Sequence, residues 1–269
     1  MRFQAHIPGP PLSDFVECMW SLCDAPAHST ERIVPSGTLE LVINLHEDEI
    51  RIYDLRGTVR RFSGAVVSGA YRRFFVIDTR AHASLVGVHF RPGGAEPFLG
   101  VPPGALVDRH VDLDALWPGS AELRDRLCEA ARPAARFAVL EQVLQQRLAR
   151  RRGGHPAVPL ALAQLARPDT TIGDVAAHLH LSRRRLIEVF TAEVGMTPKR
   201  LMRVLRFQRA IALARCAGTP DWGRLAPQCG YFDQSHLIHD FQELAGLSPV
   251  LTLRASAGVK DHHLALRDP

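Results

Sequence analysis

The sequence predicts an α+β chain. A β-rich N-terminal domain with trailing helices is followed by an all-α C-terminal domain of two similar helical units joined by a long helix. Three observations carry that expectation. Short runs of strand-forming residues, separated by Gly and Pro turn signals, fill the first ~115 residues. Helical spacing of apolar residues then replaces alternation. From Ile172 onward the chain repeats itself at an offset of 50 to 51 residues.

Composition narrows the class. The 269 residues are 46% hydrophobic and 23% charged, an ordinary globular balance that excludes disordered and collagen-like chains. No apolar run approaches the roughly 18 residues that span a bilayer, and Met1 to His6 lacks the apolar core of a signal peptide, so no membrane partner is expected. Five scattered cysteines fit a reducing compartment, and a cytoplasmic location is expected. The formal net charge is +5, unevenly spread. Arg183 to Arg209 holds eight basic residues and two acidic ones. Such a stripe faces either solvent or a polyanion.

In chain order, Leu12 to Trp20 reads as a short helix capped by Ser13. Leu39–Leu45, Phe74–Asp78 and Leu85–Phe90 read as strands of a barrel or sandwich. Ser120 is placed to cap a helix over 121–131, and Pro133 to open another. In that second helix Phe137, Leu140, Leu144 and Leu148 form one stripe, which either packs on the chain's own strands or pairs two chains as a homodimer. The Arg150–Gly154 linker sets the boundary between domains at 1–154 and 155–269. His262-His263 falls in a polar tail read as solvated.

The repeat aligns Ile172–Ala176 with Trp222–Ala226, Leu186 and Phe190 with Leu237 and Phe241, and Gly195–Pro198 with Gly246–Pro249. Each unit is a short helix, a turn and a second helix opened by a capping residue, Ser182 or Asp233. That is the size and order of a helix-turn-helix, at about 172–190 and 221–241, with a connecting helix over about 198–216. The outward residues of the second helices are candidate base readers for double-stranded DNA. They are Arg183, Arg184, Ile187 and Glu188 in the first unit, and Gln234, Ser235, His236 and His239 in the second. Arg185, Lys199, Arg200, Arg203 and Arg206 are candidate phosphate contacts.

Val175-Ala176, Leu181-Ser182, Gly195–Pro198 and the stretch Gly230-Tyr231-Phe232-Asp233-Gln234-Ser235-His236-Leu237, with Gly246–Pro249, make residues ~160–254 resemble the DNA-binding domain of AraC-type transcriptional regulators. The resemblance implies seven helices, two helix-turn-helix subdomains, and RNA polymerase as a partner at promoters. Pro11–Trp20, Val34–Leu45 and Val88–Ala95 resemble, less specifically, the sensory domains of some such regulators, which implies a cupin-like barrel and a small-molecule effector. His89 and Arg91 are placed to meet an anionic ligand, with Trp20, Glu40, Asn44 and His46 as pocket partners. No metal site, cofactor or catalytic constellation is expected. The rival reading is a metal- or cysteine-dependent enzyme or sensor carrying a DNA-binding arm.

Overall fold

The computed structural model describes residues 2–23, 30–54, 56–79, 83–150, 154–167, 170–256 and 263–266. Linker residues 151–153, His28, His82 and His262 lie outside the described residues.

The N-terminal strands form two antiparallel sheets. The first contains β1 (Arg2–His6), β2 (Val16–Cys23), β4 (Glu40–Asn44), β7 (Ala65–Ser68), β9 (Ser84–Phe90) and β10 (His110–Asp112), ordered β1-β2-β9-β4-β7-β10. The second contains β3 (Thr30–Ile33), β5 (Glu49–Tyr53), β6 (Val59–Ser63), β8 (Phe75–Asp78) and β11 (His263–Leu266), ordered β11-β3-β8-β5-β6. They pack through Ile33, Ile50, Ile52, Phe75 and Ile77 of the second sheet and Val66 of the first. The architecture is a pair of open sheets rather than a closed cupin-like barrel. A barrel needs every strand paired on both sides, and β6 and β10 each pair with one strand among the described residues.

Three local expectations are corrected. The helix over Leu12 to Trp20 is a single 3₁₀ turn, Leu12–Asp14, running into β2. Val16, Met19 and Trp20 are buried, and β2 is hydrogen-bonded to β1 on one side and β9 on the other. A full ladder on both edges outweighs the weak local helix preference of so short a segment. At α3 (Ser120–Glu129) Ser120 is the first helical residue, and Gly119, at φ +82°, takes the cap position. The tail is not solvated at His263. It returns as β11 to pair with β3, and His263 Nδ1 lies 2.6 Å from Glu31 Oε2.

The short helices α1 (Glu96–Leu99) and α2 (Leu113–Leu116) precede α3, and α4 (Pro133–Leu148) follows it. Phe137, Leu140 and Leu144 of α4 are buried in the chain's own core with Leu12, Met19 and Phe98, and Leu148 packs against it. Burial of each Leu contributes about 1.5–3 kcal/mol. The stripe is therefore spent within the chain, as the packing alternative requires.

The C-terminal region is helical: α5 (Ala157–Leu165), α6 (Ile172–His178), α7 (Arg183–Val194), α8 (Pro198–Ala217), α9 (Trp222–Gln228), α10 (Gln234–Ala245) and α11 (Pro249–Ala255). The first unit shares one hydrophobic core with the first sheet, since Leu186, Phe190, Leu201 and Val204 cluster with Leu39, Leu41 and Phe90. The second unit packs around Phe207, Phe241 and Leu244, together with Val34, just after β3, and Leu264 of β11. No described helix is long and apolar enough to cross a membrane.

Candidate nucleic-acid interface and ligand cavity

Local chemistry builds the two helical units alike. Thr171 caps α6 in a reciprocal box with Asp174, whose carboxyl is held below its usual range by hydrogen bonds from the Thr171 side chain and backbone. Asp221 accepts from Gly223 N and Arg224 N to cap α9. Ser182 Oγ accepts from Arg185 N at 3.1 Å to start α7, and Asp233 Oδ1 accepts from His236 N at 2.7 Å to start α10. The turns between helices close with the same bond, Leu181 N to Ala176 O at 2.9 Å and Tyr231 N to Ala226 O at 3.0 Å. Both turns need a left-handed residue, His180 at φ 53° in one and Gly230 at φ 82° in the other.

The equivalence locates the extra residue of the second unit. Leu181 and Ser182 are adjacent, whereas Phe232 stands between Tyr231 and Asp233. Phe232 is 91% exposed beside the first turn of α10, the largest exposure of any bulky apolar side chain described.

Leu186, Val189 and Phe190 of α7, and Leu237 and Phe241 of α10, are buried. That orientation exposes Arg183, Arg184, Arg185, Ile187 and Glu188 on one helix, and Gln234, Ser235 and His239 on the other. His236 is half-buried, edge-on to Tyr231 at 5.3 Å. Glu188 accepts from Arg184 Nε at 2.9 Å, which holds its carboxyl below the usual glutamate range. The pair gives Arg184 a defined direction along the helix surface. Lys199 is exposed and Arg200 half-buried in the first turn of α8.

Arg203 and Arg206 stand differently from Lys199. Both were expected to face phosphate, and both turn inward. Arg203 donates to Asp240 Oδ1 at 2.7 Å and to Glu243 Oε1 and Oε2 at 2.9 and 2.6 Å. Those bonds raise the Arg203 pKa and lower that of Glu243. Arg206 lies over the Tyr231 ring at 4.5 Å, donates to Gly230 O at 3.0 Å and reaches Asp240 at 3.4 Å. The two arginines brace α8 against α10.

On the N-terminal side, a cavity of about 1090 Å³ opens between the first sheet and α8. Trp20, Glu40, His89 and Arg91 line it from the sheet, and Gln208, Arg209 and Arg215 from the helix. Trp20 Nε1 donates to Glu40 Oε1 at 2.7 Å, and His89 Nε2 lies 3.0 Å from Thr38 Oγ1. The helix is tied across the gap by Gln208 Nε2, which donates to Pro35 O at 2.5 Å.

Comparison with known proteins bears on both halves. Residues 4–112 match a domain of unknown function (DUF6597). Residues 175–255 match the model of a helix-turn-helix domain. That domain is of the AraC type. The chain that carries it is a DNA-binding transcription regulator. None of the curated proteins matches the sequence. Among solved structures, ToxT from Vibrio cholerae is 10% identical, with 94% of this chain and 98% of that one covered at a TM-score of 0.49. Unsaturated fatty acid-bound ToxT from Vibrio cholerae strain SCE256 is 12% identical, with 96% and 99% covered at a TM-score of 0.46.

Four of the six expected pocket residues, Trp20, Glu40, His89 and Arg91, meet at the cavity. Asn44 and His46 do not. Asn44 is buried, accepting from His46 N and Glu47 N and donating to Glu49 O, so it shapes the β4–β5 turn, where His46 is exposed. Sequence reasoning missed the far wall, Gln208, Arg209 and Arg215, because those residues read only as the polar side of a helix. It also missed Phe232 as a surface group, although the one-residue change in repeat offset pointed to that turn.

Proposed function

We propose that the regulator reads duplex DNA with α7 and α10 in successive major-groove segments, and that a small-molecule effector in the cavity beside α8 adjusts their relation. The observation that carries the DNA reading is the matched pair of capped, outward-facing first turns. Arg183, Arg184, Ile187 and Glu188 read bases from one, and Gln234, Ser235, His236 and His239 from the other. Arg can pair with guanine and Gln with adenine, while Ile187 and Phe232 suit a thymine methyl. Arg185, Lys199 and Arg200 remain as phosphate contacts. Helix α8 has 20 residues, hence a length of about 30 Å, close to the roughly 34 Å of one DNA turn. A ligand touching both Arg91 on the sheet and Arg209 on α8 would act on the rod that spaces the readers. The domains divide near residue 154, and RNA polymerase is the partner at promoters.

The test is selection of bound sequences from genomic DNA by the full chain, followed by a salt titration on the selected site. With three to five phosphates neutralised, the log–log slope is expected near −3 to about −4.5. A flat salt response, or equal affinity for random duplex, overturns the reading.

A further inference from the structure

A second cavity, of about 440 Å³, lies away from the first, where the edge strands β6 and β10 of the two open sheets face the C-terminal region. We propose that it is a separate small-molecule site, and that it takes an aromatic carboxylate.

The floor is aromatic. Tyr71, Phe75 and His110 pack against one another with ring centroids 4.5 to 5.0 Å apart, and Phe62 lies 5.7 Å from His110. These rings offer a slot for a planar apolar body. Tyr71 Oη and His110 Nδ1 are hydrogen-bonded. Burial drives the His110 pKa down to about 3 and the Tyr71 phenol up. The imidazole is thus neutral and the phenol protonated at physiological pH.

The rim is cationic. Arg60, Arg72, Arg73 and Arg200 line the cavity with three carboxylates, Asp54, Asp108 and Glu243. Each carboxylate is already engaged. Asp108 pairs with Arg72, Glu243 with Arg203, and Asp54 accepts from the backbone N–H of Arg56 and Thr58. Arg60, Arg73 and Arg200 have no side-chain hydrogen bond or ion pair among the described residues. The lining therefore carries four guanidiniums to three carboxylates, and Arg60, Arg73 and Arg200 edge the aromatic slot without a hydrogen-bonded carboxylate of their own. A planar guanidinium matches a carboxylate in a two-bond fork, and the positive rim repels cations. The volume falls within the range of small-ligand sites, about 300–1,000 Å³. A ligand held there would tie β6 and the loop before β8 to the first turn of α8, through Arg60, Arg73 and Arg200.

The experiment is calorimetric titration of the full-length protein with benzoate, with its neutral isostere benzamide, and with acetate. Benzoate is expected to bind one per chain at this site, and benzamide and acetate each at least tenfold more weakly. The double variant R60Q/R73Q alters two exposed side chains, so its unliganded melting temperature should stay that of the parent while benzoate affinity drops about tenfold or more. R209Q, in the wall of the larger cavity, should leave benzoate binding unchanged. No benzoate binding up to about 10 mM, benzamide binding as tightly as benzoate, or loss in R209Q but not in R60Q/R73Q, each overturns the proposal. The third outcome would assign the anion to the larger cavity instead.

Discussion

Arg203→Ala separates a brace from a phosphate contact. Asp240 is 1% exposed and its carboxylate is shared between Arg203 and Arg206, while Glu243 binds Arg203 through both oxygens. Removing Arg203 leaves a buried carboxylate with a single, longer partner at 3.4 Å. Breaking a buried pair by deleting one partner costs about 3–5 kcal/mol. Arg206 still compensates in part, so the lower end, ~3 kcal/mol, is expected. The pH dependence follows from Glu243. Its folded-state pKa is lowered, chiefly by Arg203. Its contribution is therefore present above the unfolded glutamate value near ~4.3 and is lost as pH falls through the folded one. The stability gap between parent and variant should be widest at neutral pH and narrow below about pH 4. Urea unfolding followed by circular dichroism, at pH 7 and at about pH 3, measures it. The DNA salt slope should stay that of the parent. Unchanged stability with a slope smaller by about one would mean that Arg203 meets phosphate after all, and would refute the inward assignment.

Three further outcomes are expected. Arg184→Ala and Gln234→Ala should each cost about 1–3 kcal/mol on the preferred site and relax specificity at different base positions, read by sequence selection with each variant. If Gln234→Ala keeps the parent preference, α10 holds the backbone only. Leu144→Glu places a charge where Leu144 is 0% exposed, so sedimentation should show the parent oligomeric state while the melting temperature falls steeply; a stable variant that has only lost a partner chain would favour pairing through α4. Gly246→Ala forces a side chain at φ +67° with its Cβ 2.4 Å from the Phe74 ring. It should destabilise the chain by roughly 2 kcal/mol or more, since strain at a left-handed position adds to overpacking. Urea unfolding of that variant checks it, and a change within ~0.5 kcal/mol would mean that α10 and the β8 side are not held in this contact.

Local signals were enough for the repeated units. Ser182, Asp233, Gly195 and Gly246 act through hydrogen bonds and backbone angles confined to a few residues, so their positions alone mark where α7 and α10 begin and end. The apolar spacing of Leu186, Phe190, Leu237 and Phe241 likewise settles which face turns in, and so which side chains of α7 and α10 turn out. The sites that depend on a distant partner were not legible. Arg203 and Lys199 look alike along the polar side of α8. Only the approach of α10 brings Asp240 within 2.7 Å of the first, a residue 37 positions away. The β2 segment reads as a capped helix until β1 and β9 supply ladders on both edges. The larger cavity draws one wall from strands and the other from a helix more than a hundred residues later. The smaller one is lined by residues of β6 and β10, the end strands of two different sheets. Periodicity and caps report a residue's own element, whereas a pairing, an ion pair or a cavity wall is set by the loops and cores that bring two elements together.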